Sequence, residues 1–181
     1  KDAPRGRVVS KNVLDRSAQW KEIVPQSADT LNGVSFINNQ FVLNYLKDAA
    51  TAIKIVNTDG SFVRDVKLPG IGSAGGFGGK REDSETFYNY SSFDTPPTIY
   101  RYDMKTGESK MFRTASVKMD PSKYEVKQVF YPSKDGTKVP MFLTYKKGIK
   151  LNGKNPTLLY GYGGFNISQT PGFSVGRIAW L

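Results

Sequence analysis

A mainly β fold, made of antiparallel units that repeat along the chain, is predicted by three features of the sequence. Short runs rich in β-branched and aromatic residues recur with turn residues between them. They fall into two successive groups of four, each spanning about 40 residues, the period of a propeller blade. Helical periodicity is nearly absent before residue 114. The 38% apolar and 13% aromatic content is enough for a globular core, and no apolar run is long enough to span a membrane as a helix.

The elements follow in order. Arg7 to Leu14 and Trp20 to Val24 read as outer strands of a first, partial blade. Leu31 to Asn38, Gln40 to Lys47, Ala52 to Asn57 and Phe62 to Leu68 form a complete one, with Asn38-Asn39 and Asp59-Gly60 as tight hairpin turns. The next unit begins with a glycine-rich strand from Gly70 to Gly79. Glu85 to Ser91, Thr98 to Asp103 and Lys110 to Thr114 complete it, with turns at Asp94-Thr95-Pro96-Pro97 and Lys105-Thr106-Gly107. A linker, 115–123, holds Asp120-Pro121. The pattern then changes: Tyr124 to Tyr131 and Lys138 to Lys146 are long alternating strands joined at Ser133-Lys134-Asp135-Gly136. Beyond a polar loop, Thr157-Leu158-Leu159-Tyr160 reads as a buried strand running into Gly161-Tyr162-Gly163-Gly164-Phe165.

Composition excludes much chemistry. The 181 residues include no cysteine and no histidine. Disulfides, thiol catalysis, imidazole metal sites and a Ser-His-Asp triad therefore cannot be assembled from this chain alone. Lack of cysteine suits a reducing or an oxidising compartment, so cytoplasm and periplasm both stay open. The chain begins at Lys1-Asp2-Ala3-Pro4 with no initiator Met and stops within an apolar stretch ending Trp180-Leu181, from which a segment of a longer protein is expected. The 26 Lys+Arg against 16 Asp+Glu, net charge +10, are scattered. Their densest group, Lys146, Lys147, Lys150 and Lys154, lacks interleaved exposed aromatics and reads as a solvated basic surface rather than a nucleic-acid footprint.

Two motifs fail on context. Gly70-Ile71-Gly72-Ser73-Ala74-Gly75 fits a dinucleotide pattern, but a proline precedes it and a strand rather than a helix follows, so close backbone packing near a propeller axis explains it better. Gly172-Phe173-Ser174-Val175-Gly176 fits a nucleophile elbow, yet Ser174 has neither a histidine base nor a preceding strand. Gly161 to Phe165 is different. In acyl transfer the tetrahedral oxyanion needs preorganised donors about 3 Å away, and a glycine-lined loop with a tyrosine hydroxyl could supply them. A turn packed by two tyrosines and a phenylalanine remains the alternative.

The run Asn155-Pro156-Thr157-Leu158-Leu159-Tyr160-Gly161-Tyr162-Gly163-Gly164-Phe165-Asn166-Ile167-Ser168 closely resembles the prolyl oligopeptidase family of serine peptidases. Asp2-Ala3-Pro4 with Arg7, Leu68-Pro69-Gly70 through Phe77-Gly79, Phe87-Tyr88 through Pro97-Thr98-Ile99-Tyr100, and Val129-Phe130-Tyr131 through Asp135-Gly136-Thr137-Lys138-Val139-Pro140-Met141 extend the resemblance over nearly the whole chain. Gly-Gly-Phe after Tyr-Gly-Tyr is similar to the proline-specific branch. The resemblance implies the last blades of a seven-bladed β-propeller at 1–114 and the first strands of an α/β-hydrolase domain at 124–181. It further implies an oxyanion-stabilising hydroxyl on Tyr162 and a proline pocket lined by Phe165, with Ile167 close by. The nucleophile, its Asp and its His are expected beyond this chain. The implied partner is a proline-containing peptide substrate, with no cofactor, metal, nucleic acid or membrane; by itself the segment is expected to be inactive. From the residues alone, a basic non-catalytic β-domain that binds a polyanion or a protein stands as the other reading.

Overall fold

The computed structural model describes residues 2–181. Twelve strands are present among them: β1 (Val8–Ser10), β2 (Lys21–Val24), β3 (Thr30–Ile37), β4 (Gln40–Lys47), β5 (Ala50–Asn57), β6 (Phe62–Asp65), β7 (Ser73–Gly78), β8 (Glu85–Ser91), β9 (Thr98–Asp103), β10 (Ser109–Thr114), β11 (Tyr124–Pro132) and β12 (Lys138–Lys146). A 3-10 turn at Pro121–Lys123 and one helical turn, α1 (Val175–Ile178), are the helical elements. The strands form two antiparallel four-stranded meanders, β3-β4-β5-β6 and β7-β8-β9-β10, and two hairpin-like pairs, β1-β2 and β11-β12. The chain is mainly β, as its sequence predicts.

Turn chemistry fixes the first meander. Asn38 and Asn39 sit at φ +51° and +54°, the left-handed pair of a two-residue hairpin turn that asparagine tolerates well. Asp48 and Ala49 adopt the same geometry, at φ +49° and +62°. Asp48 tolerates this backbone, but Ala49 is a poor left-handed residue. The β4–β5 ladder, paired without a break from Gln40↔Asn57 to Lys47↔Ala50, imposes it. Between β5 and β6, Asp59 accepts from the Ser61 amide and hydroxyl at 2.9 and 2.6 Å. The same device closes the β9–β10 and β11–β12 turns through Asp103 and Asp135, and these bonds hold all three carboxyls below their usual range.

Period-2 alternation then decides the packing. Val42, Ile53 and Ile55 face one way, and Leu43, Tyr45 and Val56 face the other; all are buried. The first set meets Phe77, Tyr88, Tyr90, Tyr102 and Met104 of the second meander in the main core. The second set packs with Val24, Val8 and Ile23 of the β1–β2 pair. A sheet covered on both faces by neighbouring sheets is the stacking unit of a propeller. The second meander's side of this core is aromatic, facing Ile37, Val42, Ile53 and Ile55 of the first: Phe77 stacks on Tyr88 at 4.8 Å and meets Tyr102 edge-on at 5.9 Å, while Tyr88 stacks on Tyr100 at 5.2 Å. Polar bonds fix the register of the two meanders, with the Asn44 amide donating to the Ala74 carbonyl (3.0 Å) and the Ala74 N–H donating to the Thr51 hydroxyl (3.0 Å).

Close approach requires glycine at Gly72, just before β7. A Cβ there would lie 2.3 Å from the Tyr90 ring and 2.6 Å from the Ser91 carbonyl oxygen. The glycine-rich stretch therefore serves close packing, as expected, although its strand is shorter than predicted (Ser73–Gly78).

Two further expectations need correction. Arg7 to Leu14 yields only Val8–Ser10 as strand, because turns at Asn12 and Asp15, each capped by its own side chain, end it early. Thr157 to Tyr160 is not a buried strand. It is irregular and exposed, Leu159 at 84%, and no strand of the described residues pairs with it. An apolar run becomes a buried strand only where neighbouring strands take up its backbone groups and cover its faces, and here none does.

Candidate functional site

The loop that follows Tyr160 carries the three residues singled out by sequence. Gly164, Phe165, Asn166 and Ile167 form a tight turn, closed by the Ile167 N–H donating to the Gly164 carbonyl at 3.1 Å. Phe165 and Asn166 both take φ +53°. A left-handed pair also makes the Asn38-Asn39 and Asp48-Ala49 hairpin turns, but for a bulky phenylalanine the conformation is costly, the kind of local strain that gathers at functional loops. The turn projects the Phe165 ring into solvent, 90% exposed, and leaves Tyr162 and Ile167 half exposed. The Tyr162 ring folds back toward Gly164, where a Cβ would stand 3.5 Å from the hydroxyl. Beside Gly161 and Gly163 the space is open. Residues 162–168 together line a shallow concavity of about 290 Å³.

Chemically, this loop offers a phenol, an unobstructed backbone and two apolar side chains within one turn, and no nucleophile or base. Ser174 does not change that. It precedes the single turn α1 with no strand leading into it, and the chain has no histidine to activate it.

Downstream, the chain returns to the second meander. Pro171 is buried, its carbonyl accepting from the Ser73 hydroxyl at 2.6 Å, and the Phe173 N–H donates to the Ser91 hydroxyl at 3.2 Å. The Arg177 guanidinium lies 5.9 Å over the Phe93 ring. Phe93 also contacts Phe142 of β12 at 5.5 Å, and the Gln128 side-chain amide of β11 donates to the Asp48 carbonyl at 2.5 Å. Sequence reasoning did not single out Ser73, Ser91 or Phe93. They lie 98, 82 and 84 positions from the residues they meet, and no local pattern signals such a contact.

Elsewhere, a concavity of about 450 Å³ beside the β7–β8 turn is lined in part by Glu82, Asp83 and Glu85. Asp83 is engaged by the Lys80 N–H at 2.7 Å, and Glu85 pairs with Arg101. Among the described residues, no three His, Cys, Asp or Glu side chains gather as metal ligands, and no helix is long and apolar enough to cross a membrane.

Comparison with known proteins bears on the whole chain. Residues 1–115 match the family model described as the prolyl oligopeptidase N-terminal β-propeller domain. The prolyl endopeptidase of Elizabethkingia meningoseptica is 43% identical over the full chain, which covers 26% of that protein, and the prolyl endopeptidase of Dictyostelium discoideum is 39% identical over 99% of the chain and 25% of its own length. A solved structure from a study of two prolyl endopeptidases and of inter-domain dynamics in their catalysis and specificity superposes with TM-score 0.87 at 42% identity, over 99% of this chain and 27% of its own. Apo prolyl oligopeptidase B from Galerina marginata gives TM-score 0.84 at 31% identity, over 96% of this chain and 25% of that one. The chain thus spans about a quarter of the length of the relatives it matches. With its stacked antiparallel meanders and this match over residues 1–115, the chain belongs to the prolyl oligopeptidase family of serine peptidases and carries part of that family's β-propeller.

Proposed function

We propose that the chain is an internal segment of a serine endopeptidase that cleaves short peptides on the carboxyl side of proline. In this reading residues 1–114 are the last blades of a seven-bladed propeller, 115–123 the linker, and 124–181 the first strands of the α/β-hydrolase domain. The Tyr162 hydroxyl, together with a backbone N–H, holds the oxyanion, while Phe165 and Ile167 form walls against the flat proline ring. The nucleophilic Ser, its Asp and its His come from elsewhere in the parent protein.

The observation that carries this reading is the turn at Gly164–Ile167, which spends backbone strain to present Phe165 beside the half-exposed Tyr162. A merely packed turn would bury those rings. The polyanion alternative rests on the exposed group Lys146, Lys147, Lys150 and Lys154, of which Lys147 donates one hydrogen bond to the Ser122 carbonyl at 2.7 Å.

The test is Tyr162→Phe in the full-length peptidase. Removing one oxyanion donor lowers kcat by about 10²–10³ with KM nearly unchanged. A raised KM with intact kcat would overturn the oxyanion role. By itself the 181-residue chain turns over no proline peptide and takes up no fluorophosphonate, as intact mass measures; a single adduct on the 20.1 kDa species would refute this.

A further inference from the structure

We propose that Pro171–Phe173 form a latch on the end of the β7–β8 pair, and that Ser73 and Ser91 are positioning residues for the glycine-rich loop 161–168. The functional part of this inference rests on the peptidase reading; the latch itself does not.

Ser73 and Ser91 are directly opposed in the β7–β8 register, so their hydroxyls share one end of one strand pair. The Ser73 hydroxyl donates to the Pro171 carbonyl at 2.6 Å; the Ser91 hydroxyl accepts from the Phe173 N–H at 3.2 Å and donates to the Thr95 carbonyl at 3.2 Å. The two serines thus grip the segment on either side of Gly172, with one acceptor and one donor satisfied. Pro171, between them and the loop, is among the fully buried side chains, although residues 150–170 are almost entirely exposed. Arg177 closes the far side by stacking over Phe93 and donating to the Gly172 carbonyl at 3.3 Å. The Ser91 end of the clamp is itself held, because the neighbouring Ser92 hydroxyl donates to the Ile71 carbonyl at 2.7 Å.

This arrangement pins the chain only three residues after Ser168. A loop tethered at one end has fewer conformations to lose on presenting Tyr162 than a free one, so the clamp lowers the entropic cost of setting the donor in place. The serines touch neither substrate nor reacting atoms; they act through the loop.

Hydrogen exchange of the Phe173 amide tests the latch in the chain as it stands. In the unmutated protein this amide is protected. Ser91→Ala speeds its exchange roughly tenfold, as expected for one lost hydrogen bond, leaves the Tyr88 and Tyr90 amides unchanged, and Ser91→Thr restores it. Free exchange at Phe173 in the unmutated protein, or no change on Ser91→Ala, would overturn the latch, and the first comparison needs no variant to fold. The positioning role is read in the full-length peptidase, where Ser73→Ala and Ser91→Ala lower kcat several-fold with little change in KM, and Ser91→Thr recovers it. Protected exchange with unaltered kcat would sink the positioning role alone. A full-length protein with no proline-specific turnover would sink the peptidase reading and leave the exchange result standing.

Discussion

Replacing Phe77 probes the aromatic core that joins the two meanders. Its side chain is 2% exposed, stacked on Tyr88 and edge-on to Tyr102. Truncation to alanine removes a fully buried ring and leaves a cavity between two sheets whose backbones are held by their ladders, so the site collapses little. Such truncations cost about 3–5 kcal/mol, a large part of the roughly 5–15 kcal/mol that stabilises a domain. With a urea slope of about 2 kcal/mol/M, the midpoint falls by roughly 2 M. Backbone conformation gives a second, independent number. Phe77 lies at φ +57°, in the bulge between Gly76 and Gly78 where the β7–β8 register shifts. A left-handed residue with a Cβ carries about 1–2 kcal/mol of strain, whereas glycine carries none but loses more entropy on folding. Phe77→Gly is therefore expected to be no less stable than Phe77→Ala, and by up to about 1 kcal/mol more stable. Urea unfolding followed by tyrosine fluorescence and circular dichroism measures both. A midpoint shift below about 0.5 M for Phe77→Ala would refute the inter-sheet core, and alanine clearly outperforming glycine would refute the strained bulge.

Two other outcomes follow from the same region. Gly72→Ala has no positive φ to relieve and meets the Tyr90 ring and Ser91 carbonyl at once, so it costs about 1–3 kcal/mol by overpacking; a neutral thermal shift would show that the strand gives way. Burial pushes the Tyr90 phenol up to about 12 and also raises Tyr88, Tyr100 and Tyr102 above the usual 10.0. The unfolded chain then releases these protons first, so stability is complete below about pH 10 and drains away as pH rises toward about 12. Melting temperature against pH, with phenolate absorbance, checks this, and a flat profile across that window would contradict it.

Much of the propeller portion was legible in the sequence. Strand alternation at Thr86 to Tyr90 and at Thr98 to Tyr102, the Asn38-Asn39 turn and the Asp-Gly turns are local codes, set by side-chain period and by which residues tolerate a left-handed backbone. The glycine-rich loop 161–168 was legible as a motif and as a resemblance, with Tyr162, Phe165 and Ile167 close in sequence and lining one concavity. The Asp48-Ala49 turn was not, because a ladder rather than its own residues imposes it. Nor was the exposure of Leu158 to Tyr160, since burial belongs to an apolar run's neighbours and not to the run.

By itself, then, the sequence determined most of the propeller strands, the Asn38-Asn39 and Asp59-Gly60 turns between them, and that no Ser-His-Asp triad can form within these residues. Only the tertiary structure decided that Val42 and Leu43, adjacent in the chain, enter two different cores, and that Ser73 and Ser91 hold Pro171 and Phe173. Local geometry is written in neighbouring residues, whereas a contact between positions 80 to 100 apart exists only once the strands have stacked and brought their ends together.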